Sequence, residues 1–274
     1  MRKVIGRRKM VAVAGTMVLA GPALAACSIG PSYEQWAATD GAAGRINLDE
    51  IQEAFKKSES PSAFERRVNE IYEGDSLVLI RSSQDGDSLV LDGFEDLDGD
   101  GVIDDVKDDL LFSIVKEHDS HELRGHGANG YYRSSFGAGD FLFTYMLFSA
   151  LSPGRYYYQT PRGSVGGLRN SRNSYRSSSA YRTQVSRNTN HFNRQKSFHG
   201  SKYDSASKNL SRGRQSYMTS QQRSGAFRNS STGVRSSWGS RGSGGSFGRA
   251  SRGGRGGFRG FGGAQRVIGF TRGA

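Results

Sequence analysis

The chain has 274 residues and carries 38 Lys and Arg against 26 Asp and Glu, a net charge of +12 with the histidines neutral. Its single cysteine excludes an intramolecular disulfide framework. The sequence also offers no Ser-His-Asp set, phosphate loop or pair of catalytic carboxylates. We therefore expect a protein that is not an enzyme.

The first 26 residues have the layout of an export signal. Basic residues precede an apolar stretch at residues 10–20, which is too short for a membrane-spanning helix of about 20 residues. The run Leu24-Ala25-Ala26-Cys27 resembles the lipobox of bacterial lipoproteins, which are cleaved before the cysteine and acylated on it. The resemblance implies a signal peptide at residues 1–26 and lipidation at Cys27.

A lipidated Cys27 places the mature protein on a membrane of the bacterial cell envelope, in the outer membrane if the organism has one. An ordinary signal peptide or a short anchor is the alternative, and Arg7-Arg8 leaves a twin-arginine export signal open.

Charge divides the mature chain into two parts. Residues 27–154, the acidic head, carry 10 Lys and Arg against 25 Asp and Glu, a net charge of −15. Residues 155–274, the basic tail, carry 23 Lys and Arg against the single acid Asp204, a net charge of +22. We expect head and tail to attract each other unless the tail finds a stronger anionic partner.

After a spacer at residues 27–44, the head begins with two predicted helices. Asn47 and Glu50 have the spacing of a capping box at the start of the first. The second begins near Ser60-Pro61 and ends at Gly74. Apolar residues recur on one face of each helix: Leu48, Ile51 and Phe55 in the first, and Phe64, Val68, Ile71 and Tyr72 in the second.

Three strands follow. Residues 77–80 and 89–91 are apolar runs on either side of Asp85-Gly86, which predicts a β-hairpin. A third strand is expected at residues 110–115. Two helices and about three antiparallel strands predict a small α+β domain at residues 45–128.

Between the second and third strands, residues 96–105 carry acids at alternate positions, interrupted by glycines. This pattern resembles the first half of an EF-hand or dockerin calcium loop, in which alternate oxygens converge on one hard cation. The resemblance implies a Ca²⁺ ion held by the side chains of Asp96, Asp98, Asp100 and Asp104 and by the carbonyl of Val102.

The loop departs from the EF-hand at its twelfth position. Lys107 stands where an EF-hand has a bidentate Glu, so Asp105, Asp108 or Asp109 would have to close the shell. Because strands flank the loop, a bound cation would have a structural role. A solvated acidic turn is the alternative.

Two further segments of the head carry weaker predictions. His118 and His121 lie near Glu122 and leave open a metal-dependent hydrolase. Residues 129–154 are first Gly-rich and aromatic, then strongly apolar at residues 141–151. These eleven residues are too short to span a bilayer and predict a core helix, a self-association segment or an interfacial segment.

The basic tail is of low complexity and contains few aliphatic residues, which predicts disorder throughout residues 155–274. Its end resembles the RGG boxes of RNA-binding proteins, which implies polyanion binding by Arg252, Arg255 and Arg259. On an exported protein, the expected partners are anionic polymers, namely lipopolysaccharide, a wall polymer or extracellular nucleic acid. An envelope assembly factor whose tail binds an acidic protein, and a solubilising spacer, are the alternatives.

Overall fold

The computed structural model describes residues 31–85, 88–117, 120–137, 142–143 and 156–230. Several sequence predictions lie outside these residues. They concern the signal peptide, Cys27, His118, most of the apolar segment at residues 141–151, and the tail arginines Arg252, Arg255 and Arg259.

The head begins with three helices: α1 (Tyr33–Ala37), α2 (Leu48–Lys57) and α3 (Pro61–Ile71). Helix α2 starts at Asn47, whose side chain accepts a hydrogen bond from the backbone N–H of Glu50 at 3.2 Å. Ser60 caps α3 in the same way. The predictions of α2 and α3 are confirmed. Helix α1 was not predicted, since it lies within the expected spacer, and its Trp36 is fully buried.

Six strands form one antiparallel sheet: β1 (Val78–Asp85), β2 (Ser88–Glu95), β3 (Asp109–Glu117), β4 (Ser120–Gly125), β5 (Arg133–Phe136) and β6 (Tyr156–Gln159). Strands β1 to β5 form a meander, and β6 returns to the opposite edge beside β1. The predicted hairpin and third strand are confirmed. Strands β4 and β5 were not predicted, because each buries little apolar surface: chiefly Leu123 in β4 and Phe136 in β5.

The main hydrophobic core lies between one face of the sheet and helices α2 and α3. Val78 and Ile80 of β1 point into it, together with the apolar stripes of the two helices. Leu142 and Phe143, the described part of the apolar segment, are also buried there. The alternate residues of β1 point to the opposite face of the sheet.

Four more helices lie in the basic tail: α4 (Val165–Arg176), α5 (Ser179–His199), α6 (Ser201–Ala206) and α7 (Arg212–Ser224). We refer to them as the basic helices. Helix α4 packs Val165 and Leu168 against Leu77 and Leu79, on the face of the sheet opposite α2 and α3. The predicted disorder is therefore wrong for residues 156–230, while residues 231–274 lie outside the described part of the chain.

The expected architecture, a two-helix, three-strand α+β domain followed by a disordered tail, is wrong. The described residues form seven α-helices and a six-stranded antiparallel sheet. The basic helices escaped prediction because the side chains that they bury are mostly polar, so no apolar period marks them. These buried polar residues are Arg172, Gln184, Asn188, His191, Gln195 and Arg214.

Candidate cation site and basic surface

The acidic loop connects the end of β2 to the start of β3. Because these two strands are antiparallel neighbours, the two ends of the loop, Asp96 and Asp108, lie close together. Oxygens of Asp96, Asp98 and Asp108 lie within 4.8 Å of one another. Within the described residues, this is the one group of three or more His, Cys, Asp or Glu side chains arranged to hold a metal ion.

Hydrogen bonds from the backbone shape this loop. The two carboxylate oxygens of Asp96 accept from the N–H groups of Gly99 and Gly101, at 2.9 and 3.1 Å. Those of Asp108 accept from the N–H groups of Leu97 and Asp104, at 3.0 and 2.8 Å. Both glycines have φ near +75°, a backbone conformation that a residue with a side chain rarely adopts.

The side chains of the other predicted acidic ligands, Asp100, Asp104 and Asp105, do not join the cluster. Asp105 points away and forms a bidentate pair with Arg81, at 2.7 and 3.1 Å. Asp104 accepts from the N–H groups of Val106 and Lys107, at 2.8 and 3.2 Å. The Asp100 side chain accepts from the N–H of Val102 at 2.8 Å, which closes the turn at the tip.

Burial and electrostatic repulsion act on two of the clustered carboxylates, those of Asp96 and Asp108. Burial, followed by the charges of Asp96 and Asp98, raises the pKa of Asp108 to about 6. Burial, followed by the charges of Asp98 and Asp100, also raises the pKa of Asp96. One cation is already near, because Lys107 Nζ lies 3.4 Å from a carboxylate oxygen of Asp98. A divalent cation would offset the remaining negative charge and favour the ionised carboxylates.

The histidines that the structure describes do not form a comparable site. His121 is fully buried and its ring stacks on those of Phe136 and Phe143, so it belongs to the main core. His126 Nε2 lies 2.9 Å from Ser113 Oγ, and burial lowers the pKa of this histidine.

Head and tail contact each other through ion pairs, as their opposite charges predict. Arg214 of α7 is fully buried: its guanidinium donates to Asp109 at 2.9 Å, to the carbonyl of Ala42 at 3.3 Å and to Glu95. Glu95 also accepts a hydrogen bond from the Tyr72 hydroxyl. Burial alone would lower the pKa of Arg214, but the carboxylates of Glu95 and Asp109 raise it, so the guanidinium stays charged.

Helix α5 adds a row of polar contacts. Asn188 donates to the carbonyl of Ile71 at 2.8 Å and to the Glu73 carboxylate at 2.7 Å, and it accepts from Asn47 at 3.1 Å. Burial raises the pKa of Glu73 to about 7. Sequence reasoning did not identify Asn188 or Arg214; the charge division of the chain was the one signal that pointed to this interface.

Asp49 and Glu50, in the first turn of α2, complete the contacts with α5. A hydrogen bond from His191 Nδ1, at 3.0 Å, holds the pKa of Asp49 well below its usual range, and Arg194 also binds this carboxylate. Glu50 pairs with Arg187 at 3.2 Å. Asp49 and Glu50 lie at the positive end of the α2 helix dipole, where acidic residues are favoured, and the same two carboxylates bind cations of the tail.

Eight other cations of the tail are exposed. Within the part of the chain that the structure describes, none of them forms an ion pair, and Asp204 is the one acid among residues 156–230. The eight residues are Arg162, Arg169, Arg182, Lys196, Lys202, Lys208, Arg212 and Arg223.

Comparison of the chain with protein families, with curated proteins and with solved structures finds no match. Among the described residues, no helix combines the length and the hydropathy that crossing a bilayer requires.

Proposed function

We propose that the protein is an envelope lipoprotein, anchored by lipid at Cys27, that binds anionic polymers through its tail and has no catalytic role. The observation that carries this proposal is the division of cations on the basic helices. Arg214, Arg187 and Arg194 pair with carboxylates of the head, whereas eight exposed cations have no acidic partner in the described chain. Such a surface attracts polyanions, and the RGG-like end supports the same role.

We also propose that the acidic loop binds Ca²⁺, which stabilises the head. Three carboxylates from Asp96, Asp98 and Asp108 supply hard oxygen ligands, and Ca²⁺ accepts irregular sets of six to eight such oxygens, completed by water. Mg²⁺ fits less well because it demands near-octahedral geometry. This ligand set leaves out the side chains of Asp100, Asp104 and Asp105, whereas the Val102 carbonyl stays a predicted ligand.

The polymer proposal is tested by the salt dependence of binding. We expect the triple variant Arg182→Gln, Lys202→Gln, Lys208→Gln to bind a labelled single-stranded oligonucleotide more weakly than the unchanged mature chain. Each lost phosphate contact lowers the slope of log affinity against log salt by about 0.7 for a single strand, so the slope should fall by about 2. Fluorescence anisotropy at several salt concentrations measures it, and lipopolysaccharide is titrated in parallel.

The matched control changes the exposed neighbours of these cations, in the triple variant Thr183→Gln, Ser205→Gln, Asn209→Gln. This control keeps all the charges and should retain the full slope. Equal slopes for the two triple variants would contradict polymer binding by the basic helices.

One observation favours a second candidate, an assembly factor whose tail binds an acidic protein. The basic helices already bind a folded acidic surface, since Arg214 and Arg194 contact Glu95 and Asp49 of the head. A defined protein complex that needs Arg182, Lys202 and Lys208, and that survives salt concentrations at which the oligonucleotide dissociates, would favour this candidate over the polymer.

A further inference from the structure

We propose that a cavity between α4 and the acidic loop binds a phosphate group. The cavity has a volume of about 250 Å³. On one side it is lined by Arg169, Arg172, Asn173 and Arg176, which all belong to α4. Asp75 and Asp96 also line it.

Arg172 is the residue that points to an anion. Four arginines are buried in the described chain, and three of them, Arg45, Arg81 and Arg214, form ion pairs with carboxylates. Arg172 is only 4% exposed and forms no such pair among the residues described. Because charge buried without a counter-charge is costly, an anion in the adjoining cavity would stabilise this guanidinium.

The hydrogen bonds of Arg172 satisfy only part of its guanidinium group. Its two terminal nitrogens donate to backbone carbonyls, at 3.2 Å to Asp75, at 2.6 Å to Ser76, and to Gly74. Its Nε is buried and has no hydrogen-bond partner within the described structure. Burial, followed by repulsion from Arg176, lowers the pKa of Arg172 to about 9, because the negative charges of Glu95 and Asp75 offset these two effects only in part.

The two carboxylates in the wall are already engaged. Asp75 accepts hydrogen bonds from the Ser230 hydroxyl at 2.6 Å and from the Tyr217 hydroxyl at 3.2 Å. Asp96 binds two backbone N–H groups of the loop. Three guanidinium groups against two carboxylates leave the cavity positive, and a cation bound at Asp96 would make it more so.

Phosphate is the oxyanion that these groups fit. Guanidinium groups bind phosphate oxygens through parallel N–H donors, and Arg169 is exposed, so it can reach a ligand from the mouth of the cavity. The Asn173 amide offers a further donor. This inference rests on the proposed function for its ligand class: the phosphate would be free or the terminal monoester of an anionic polymer.

The test is calorimetric titration of inorganic phosphate into the full mature chain, in calcium and again in chelator. Arg169→Gln should weaken phosphate binding about tenfold, the loss of roughly one charge-assisted hydrogen bond. Arg66→Gln, which removes an exposed arginine of α3 that does not line the cavity, is the matched control and should leave phosphate affinity unchanged. Equal affinities of the two variants, or no phosphate binding by the unchanged chain, would overturn the inference.

Two thymidine hexamers, with and without a 5′-phosphate, distinguish the sources of the phosphate. Displacement of inorganic phosphate by the phosphorylated hexamer alone would assign the cavity to polymer ends, and displacement by neither would assign it to free phosphate. The outcome is separate from that of the proposed function. If the triple variant at Arg182, Lys202 and Lys208 keeps polymer binding, only the proposal of polymer binding by the basic helices is contradicted. If the Arg169→Gln variant keeps phosphate binding, only the proposal of a phosphate site in the cavity is contradicted.

Discussion

The acidic head and the basic helices are held in place by different forces. Helix α3 buries Phe64 and Val68 in an apolar core, where attraction is non-directional and depends on the area removed from water. Helices α5 and α7 bury Asn188 and Arg214, whose contacts are directional and need partners at fixed positions. The head contains a core of its own, whereas the position of the basic helices depends on the carboxylates and carbonyls that the head presents.

Apolar and aromatic contacts between the two regions supplement the polar ones. Trp36 of α1 packs against Phe227, and Tyr203 of α6 packs against Tyr131 at a ring-centre distance of 4.7 Å. These contacts are small compared with the main core. Loss of a single buried ion pair should therefore affect the basic helices more than the sheet.

The largest effect is expected for Arg214→Ala. This change leaves Glu95 and Asp109 buried without their cation, which costs about 3–5 kcal/mol for a buried pair. Urea unfolding measures the loss, and hydrogen exchange should show α7 opening before β1. Arg212→Ala, which removes an exposed arginine two residues away, is the control and should change stability by less than about 0.5 kcal/mol. Equal losses for the two variants would mean that the buried network does not hold α7.

The next largest effect is expected from calcium. A ligand that binds only the folded state at 100 times its Kd stabilises it by about 2.7 kcal/mol. The double variant Asp98→Asn, Asp108→Asn should abolish this gain. The control Glu59→Gln changes an exposed carboxylate between α2 and α3, outside the cluster, and should retain it. Identical melting curves in calcium and in chelator would leave the loop as an acidic turn.

The sequence predicted the helices that pack on the apolar core of the head, but not the polar contacts of the basic helices. Asn47, Ser60 and the apolar stripes of α2 and α3 are local signals, and they located both helices. The three clustered aspartates were among the predicted ligands: Asp96 and Asp98 from their alternate spacing, and Asp108 as one of three candidates to replace the missing Glu. Arg172, Asn188 and Arg214 carried no such local signal. Each is buried through hydrogen bonds to partners about 95 to 140 residues away in sequence, and a local sequence pattern does not show such distant partners.

A smaller effect on stability is expected for alanine substitutions at two glycines of the basic helices, with opposite signs. A Cβ atom on Gly213 of α7 would lie 2.2 Å from the carbonyl oxygen of Lys107, so Gly213→Ala must displace α7 from the acidic loop. We expect a loss of about 1–3 kcal/mol, the usual cost of overpacking. Gly166→Ala in α4 meets no atom within 4 Å and should instead stabilise the helix by about 0.5–1 kcal/mol. Urea unfolding of both variants checks the opposite signs; two stabilising changes would show that α7 does not pack closely on the loop.

The smallest effect concerns pH. The pKa of Asp108 is raised from 3.8 to about 6, so the folded state binds this proton more tightly than the unfolded state does. The stability that the proton confers is complete below pH 4 and is lost as the pH rises through 6, at a cost of about 1 kcal/mol once solvent screening is allowed for. Asp108→Asn should remove this loss in chelator. Asp104, whose pKa is lowered by the N–H groups of Val106 and Lys107, gives the contrast: Asp104→Asn should remove stability that is present at pH 7 and disappears in acid. Urea unfolding from pH 4 to pH 8 compares the three chains, and parallel profiles would mean that the loop carboxylates share one environment.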